Sequence, residues 1–205
     1  MIGREEAECL RKEMNPMKQY DYTTERYEAT VPVEEYVEQC VDVPEFLEYC
    51  RQCDNYERLW SCPSFSFDAE AYWRKYKTFR IVGLKILFSP EVIGRTYTGE
   101  ERQELINEVL WKEKRKLGQE LLELEREIPG SISLSGGHCT ECAPGSCTRL
   151  QAKPCRFPEQ LRYSIEALGG NVGLTVTKYL KQKLLWIEEG KMPEYLMLIC
   201  GILLP

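Results

Sequence analysis

Seven of the ten cysteines in this 205-residue chain fall into two knots, and the knots restrict what the chain can fold into. The first is Cys50-Arg51-Gln52-Cys53 followed by Cys62-Pro63; the second is Cys139-Thr140-Glu141-Cys142, then Cys147 and Cys155. Two sulfurs separated by two residues can converge on one soft metal ion or on neighbouring irons of an iron–sulfur cluster. The fold must therefore present two loops able to curl around a centre.

The first knot, C-x2-C-x8-C-P, supplies three sulfurs, and its closing Cys-Pro echoes ferredoxin-type motifs. Its fourth position is unassigned: Cys40 is the nearest spare thiol, with Cys9 and Cys200 more remote, yet all three read more simply as small buried hydrophobes. The second knot, C-x2-C-x4-C-x7-C, places four thiols within seventeen residues and can saturate a tetrahedral zinc or a cubane cluster alone. Gly136, Gly137, Pro144, Gly145 and Pro154 let the backbone bend around it. Zinc is the alternative metal, but structural zinc usually takes two matched pairs, whereas these gaps are unequal and lengthening. One or two [4Fe-4S] clusters are the expectation.

Composition narrows the rest. A chain with 43% hydrophobic residues builds one sizeable core. A formal net charge of -6 has the wrong sign for gripping phosphate backbones, so no nucleic-acid partner is expected. The charged start Met1–Glu6 lacks the apolar core of a secretory signal, and the apolar run Tyr195–Leu204 is too short to span a bilayer. The expected setting is cytoplasmic and reducing, where cysteines serve as ligands and buried thiols rather than disulfides.

Along the chain, Asn15-Pro16 interrupts a charged, tyrosine-containing segment, predicting a short helix and then an extended arm over residues 1–29. Residues 30–205 read as one cysteine-rich metal-binding domain. Val33, Tyr36, Val37 and Cys40 recur at helical spacing between Pro32 and Pro44, and Ala69–Lys77 predicts another helix. Thr78–Phe88 reads as a strand. Thr98 with Glu101 forms a capping box for a helix of about 40 Å, whose stripe of Leu105, Ile106, Val109, Leu117, Leu121, Leu124 and Ile128 stops at Pro129-Gly130. Ile132 and Leu134 predict a short strand leading into the second knot, helices are expected over 158–168 and 172–183, and Tyr195–Leu204 predicts a central strand. The fold class is α+β, a small, mainly antiparallel sheet covered by helices, with two cysteine-rich metal-binding loops.

Several other residues are candidates. His138, the only histidine, precedes Cys139 and suits a ligand or a proton donor. Arg156, Arg162, Ser164 and Glu166 can line a pocket, with arginine holding an anion and Glu166 handling protons, although such residues more often orient a helix. Tyr56, Trp60, Phe65 and Phe67 shield the first knot. Lys112, Lys114, Arg115 and Lys116, interleaved with Glu108, Glu113 and Glu120, read as a solvated helix face.

Together, Cys50-x2-Cys53-x2-Tyr56-x3-Trp60-Ser61-Cys62-Pro63, Cys139-x2-Cys142-x4-Cys147, Cys155-Arg156-Phe157-Pro158-Glu159 and Arg162-x-Ser164-x-Glu166-Ala167-x-Gly169 resemble a family over roughly residues 30–204. It is the uncharacterised family of predicted metal-binding proteins of anaerobic microbes, a domain of unknown function. The resemblance implies metal binding, with iron–sulfur the expected form, and carries no reaction. Two departures stand out: Ser64 follows Pro63 where a second proline is expected, and the aromatic arm lies outside the match. The functional expectation is an iron–sulfur protein acting on a redox partner or small-molecule substrate, as a reductase, lyase or sulfur-handling enzyme with an open iron at Cys50, Cys53 and Cys62. The alternatives are a non-catalytic electron carrier and a zinc-stabilised interaction domain.

Overall fold

The structure is a computed structural model that describes residues 20–185, 187 and 191–205. The helix expected ahead of the arm, and Cys9, lie outside the described residues. Strand β1 (Tyr22–Pro32) runs into helix α1 (Val33–Cys40), then α2 (Val43–Arg51), α3 (Ala69–Trp73) and strand β2 (Thr78–Phe88). Helix α4 (Pro90–Gly94), the long α5 (Gly99–Glu127), strand β3 (Ile132–Leu134), α6 (Val172–Lys178) and β4 (Tyr195–Leu204) follow. Two single 3-10 turns, Thr148–Gln151 and Glu166–Leu168, punctuate the stretch between β3 and α6.

The four strands form one antiparallel sheet in the order β1-β2-β4-β3. Because side chains alternate along a strand, β4 can bury both faces, and its apolar run does so. Leu196, Leu198, Cys200 and Ile202 point to the α5 side, where Leu105, Ile106, Val109, Leu117 and Leu121 meet them. Ile199 and Leu203 point to the opposite core, built with α1, α3 and α6. Gly201 is required at this centre, since a Cβ there would lie 2.6 Å from the Arg80 carbonyl oxygen and 2.4 Å from the Phe79 ring.

The expected capping box holds α5 at its start: Glu101 N–H donates to Thr98 Oγ1 at 3.2 Å, and Thr98 N–H to Glu101 Oε2 at 3.0 Å. On the other face Tyr36, Trp73 and Phe79 pack with ring centroids 4.8 to 5.3 Å apart. The Trp73 indole N–H donates to the Leu168 carbonyl at 2.9 Å, tying this cluster to the chain beyond the second knot.

Some elements differ from the sequence expectation. Pro44 does not end helical structure; it occupies the first turn of α2, with Asp42 capping through the Glu45 N–H at 2.9 Å. Helix α3 stops at Trp73, before the expected Lys77, and α6 stops at Lys178, before the expected Lys183. No helix covers residues 158–168, only a turn after Phe157 and the short 3-10 turn at Glu166. Tertiary contacts hold this segment instead: Ser135 N–H donates to the Tyr163 carbonyl at 2.9 Å, Ser164 bridges Ser135, and the Arg162 side chain pairs with Glu125.

Candidate metal centre

The three thiols of the first loop start from a helix end. Cys50 closes the last turn of α2, Cys53 N–H donates to the Cys50 carbonyl at 3.0 Å, and Cys62 N–H donates to the Leu59 carbonyl at 3.0 Å. The second loop leaves β3 at Gly136, where a Cβ would lie 2.4 Å from Leu198 and 3.2 Å from the Ile199 carbonyl oxygen. Only glycine lets the chain pass this close to β4 on its way to His138 and Cys139.

The two loops, far apart in sequence, meet in space. Cys139 N–H donates to Ser61 Oγ at 3.0 Å, and the Ser61 hydroxyl lies 3.9 Å from Cys62 Sγ. Arg149 donates to the carbonyls of Leu59, Cys62 and Ser64 at 2.7, 2.5 and 2.7 Å. Its guanidinium also covers the Trp60 ring at 5.5 Å, and the Trp60 indole N–H donates to the Lys153 carbonyl at 3.1 Å. These polar side chains substitute for the regular structure that the loops lack.

The sulfurs attract donors. Asn55 N–H approaches Cys53 Sγ at 3.5 Å, Phe157 N–H approaches Cys155 Sγ at 3.4 Å, and Arg156 approaches Cys142 Sγ at 3.8 Å. Such bonds favour the thiolate and tune a bound metal. Without a helix over 158–168, the donor to Cys155 is this single amide rather than a helix N-terminus. Burial pushes the Cys50 thiol up to about 11, with Cys62 and Cys53 adding to it. Burial likewise raises Cys62 and Cys139, each helped by neighbouring thiols.

Thiols that oppose one another's ionisation need a cation before they can all be thiolates, and a metal supplies it. In that sense the donor set fits a thiophilic metal. Among the described residues, however, no three His, Cys, Asp or Glu side chains are drawn together as a ready metal cage. A mononuclear tetrahedral zinc site needs the tighter convergence, its sulfurs roughly 3.8 Å apart if each lies about 2.3 Å from the metal. A cluster spreads its thiolates over different irons and tolerates wider spacing.

A cavity of about 950 Å³ opens beside the second loop, between it and α5, and is lined by Cys139, Cys142, Cys147 and Cys155. Lys114, His138 and Glu166 share its wall. Lys114 thus corrects the sequence reading of that helix face: it is half-buried, its ammonium is bonded to the His138 carbonyl, and desolvation lowers its pKa. Glu113 is a second correction, since it is only 4% exposed and accepts from Tyr22 Oη at 2.6 Å and Lys116 Nζ at 2.7 Å. Neither position departs visibly from a charged surface pattern in the sequence, except that Glu113 continues the four-residue spacing of Leu105, Val109, Leu117 and Leu121.

Of the other candidates, Glu166 has its pKa raised by burial, against the pull of its own backbone N–H, Ser164 and Lys114, and its Oε2 is shut off from solvent without a hydrogen-bond partner. Burial and Lys114 both disfavour the charged form of His138. Arg162 does not reach the cavity chemistry; it forms a partly buried ion pair with Glu125, whose Oε1 also accepts the Arg162 Nε–H at 2.7 Å. Phe65 and Phe67 stack at 4.8 Å and pack with Tyr163 as part of the core, whereas Trp60 stands at the cavity wall with Trp111 and Phe157. Cys40 and Cys200 are buried at 3% and 1% exposure, in α1 and β4.

These features define an α+β domain carrying paired cysteine loops over a cavity. Residues 36–204 match the family described as predicted metal-binding protein (DUF2284), and the chain belongs to that family. The family's function is unknown. No curated protein and no solved structure matches the chain. Among the described residues, no helix is long and apolar enough to cross a membrane.

Proposed function

We propose that this chain is an iron–sulfur protein carrying one or two [4Fe-4S] clusters on its paired loops, acting as a redox or sulfur-handling enzyme on a small molecule that enters the adjoining cavity. The observation that carries this reading is the meeting of the two cysteine loops, which Ser61 and Arg149 stitch together. A cluster would supply electron transfer, and any iron without a protein thiolate would supply Lewis acidity. The chain's own residues would do the rest: Lys114 offers positive charge, Glu166 a proton, and Trp60 and Trp111 an apolar wall. The unequal, lengthening gaps between the cysteines favour a cluster over a single zinc ion, which usually takes two matched pairs.

Anaerobic purification of the full chain followed by iron, acid-labile sulfide and zinc analysis tests this. A brown protein with matched iron and sulfide is expected. A colourless protein loaded with zinc would overturn the iron–sulfur reading in favour of a zinc-stabilised interaction domain.

A further inference from the structure

The long helix carries one residue that its own packing does not ask for. Gly118 lies near the middle of the 29-residue α5, where glycine makes a weaker helix than alanine because it has more freedom to lose. A crowded neighbour or a left-handed backbone would account for it. Gly118 has neither, since a Cβ placed there meets nothing within 4 Å beyond its own stretch of helix. It lines a second cavity instead, a space of about 330 Å³ between α5, β3 and the root of the second cysteine loop. The missing side chain is part of that space.

The wall around Gly118 is positively charged, in a chain whose formal net charge is -6. Lys114 and Arg115 stand one turn before it, Arg126 about two turns after it, and Arg162 lines the same cavity. Glu141 is the carboxylate of this wall, and Glu125 pairs with Arg162. Four cations against two carboxylates leave two positive charges uncompensated. Among the described residues Arg126 has no hydrogen bond or ion pair, Arg115 only covers the Trp111 ring at 4.6 Å, and Lys114 is bonded to a carbonyl rather than a carboxylate. A basic residue in the last turn complements the helix dipole, which accounts for Arg126 alone. Lys114 and Arg115 stand in mid-helix, beside the glycine. Thr140, Gln119 and Gln160 add neutral hydrogen-bonding groups.

Two unbalanced charges suit a dianion. A phosphate group carries close to two negative charges near neutral pH and several acceptor oxygens, and a guanidinium can hold two of them at once. A single carboxylate brings half that charge. We propose that this cavity is a phosphate site, taking the free ion or the ester of a small molecule, with the phosphate held by Lys114, Arg115 and Arg126 over the open face of Gly118. The site is separate from the larger cavity, although Lys114, Gly136, Cys139, Thr140 and Glu141 stand in both walls. It does not depend on which metal the loops bind.

Calorimetric titration of the anaerobically purified full chain at low ionic strength tests this, with glycerol 3-phosphate, inorganic phosphate and glycerol as probes. Saturable binding of one phosphate compound per chain, and none of glycerol, is expected. A tighter ester assigns the site to esters, and inorganic phosphate binding as well or better assigns it to the free ion. Arg115→Gln and Arg126→Gln should each weaken binding by about tenfold or more. Gly118→Leu should abolish it by filling the space. Gly118→Ala should weaken it while raising the urea midpoint, because alanine is the better helix former, and it serves alone if Gly118→Leu does not fold by circular dichroism. Lys112, a cation of the same helix that lines neither cavity, is the control, and Lys112→Gln should change affinity by less than about twofold. Absence of saturable binding overturns the proposal. So does an equal loss in Lys112→Gln and Arg126→Gln, which marks diffuse attraction, or a Gly118→Ala protein that binds as the wild type does. A zinc-loaded wild type would defeat the iron–sulfur reading and leave this site as it is.

Discussion

The sheet with its helices and the pair of cysteine loops are held by different forces. The sheet is registered over eleven residue pairs between β1 and β2 and ten between β2 and β4, with apolar clusters on both faces. The loops have short 3-10 turns and isolated turns instead, and their shape depends on polar side chains: Ser61, Trp60, Thr148 and above all Arg149. Apolar burial is cooperative and metal-independent, while side-chain clamps on exposed loops open locally. The scaffold should therefore stand with or without metal, and the site should not.

The largest expected effect attacks the scaffold. Trp73→Ala removes an aromatic side chain packed on Tyr36 and Phe79, together with the bond to Leu168, and should cost about 3–5 kcal/mol. Urea denaturation should show that loss equally in metal-free and metal-loaded protein, and a loss confined to the loaded form would break the division between the regions. Next comes the joint between them. Arg162→Ala leaves the largely buried Glu125 carboxylate without its partner and should cost about 3 kcal/mol near neutral pH.

That second effect carries a pH signature. Burial alone would raise the Glu125 carboxyl, but Arg162 and the Ser133 hydroxyl and N–H bring it below the ordinary carboxylate range. A depressed folded pKa gives stability that is present above the unfolded value of 4.5 and is lost as pH falls through the folded pKa. The gap between wild type and Arg162→Ala should thus shrink on acidification below about pH 4.5. A gap that stays constant there would show that the pair contributes by packing alone.

The smallest global effect should come from the clamp. Arg149→Ala should lower the unfolding free energy by less than about 1 kcal/mol, because the released carbonyls can turn to water, yet it should deplete bound metal. Metal analysis beside the denaturation curve separates the two, and a global loss as large as that of Trp73→Ala would erase the distinction between scaffold and site.

The same division governs what the sequence could tell. Periodic apolar residues are a local signal, so α1, α5, β2, β3 and the central β4 were legible from spacing and caps. Strand β1 read only as an extended arm, because its partner β2 lies more than forty residues on and its outward residues Glu25, Arg26 and Glu28 mimic a charged tail. The helix expected over 158–168 failed since its carbonyls are taken by the Ser135 N–H and the Arg162 guanidinium, which is itself held by Glu125, and neither Ser135 nor Glu125 is near in sequence. The loops themselves were marked by their cysteines. What spacing could not carry was the meeting of the two loops, which depends on an arginine two residues beyond Cys147.

The position of β4 sets a schedule for the molecule's birth. This strand lies between β2 and β3, yet it follows both cysteine loops in the chain. A ribosome delivering the polypeptide from its amino end must release all seven loop thiols before the strand that completes the sheet emerges. For that interval the sulfurs hang on an unfinished frame, open to oxidants and stray ions alike. A metal shared between the loops would therefore find its full set of ligands only after the last strand has slid between its neighbours.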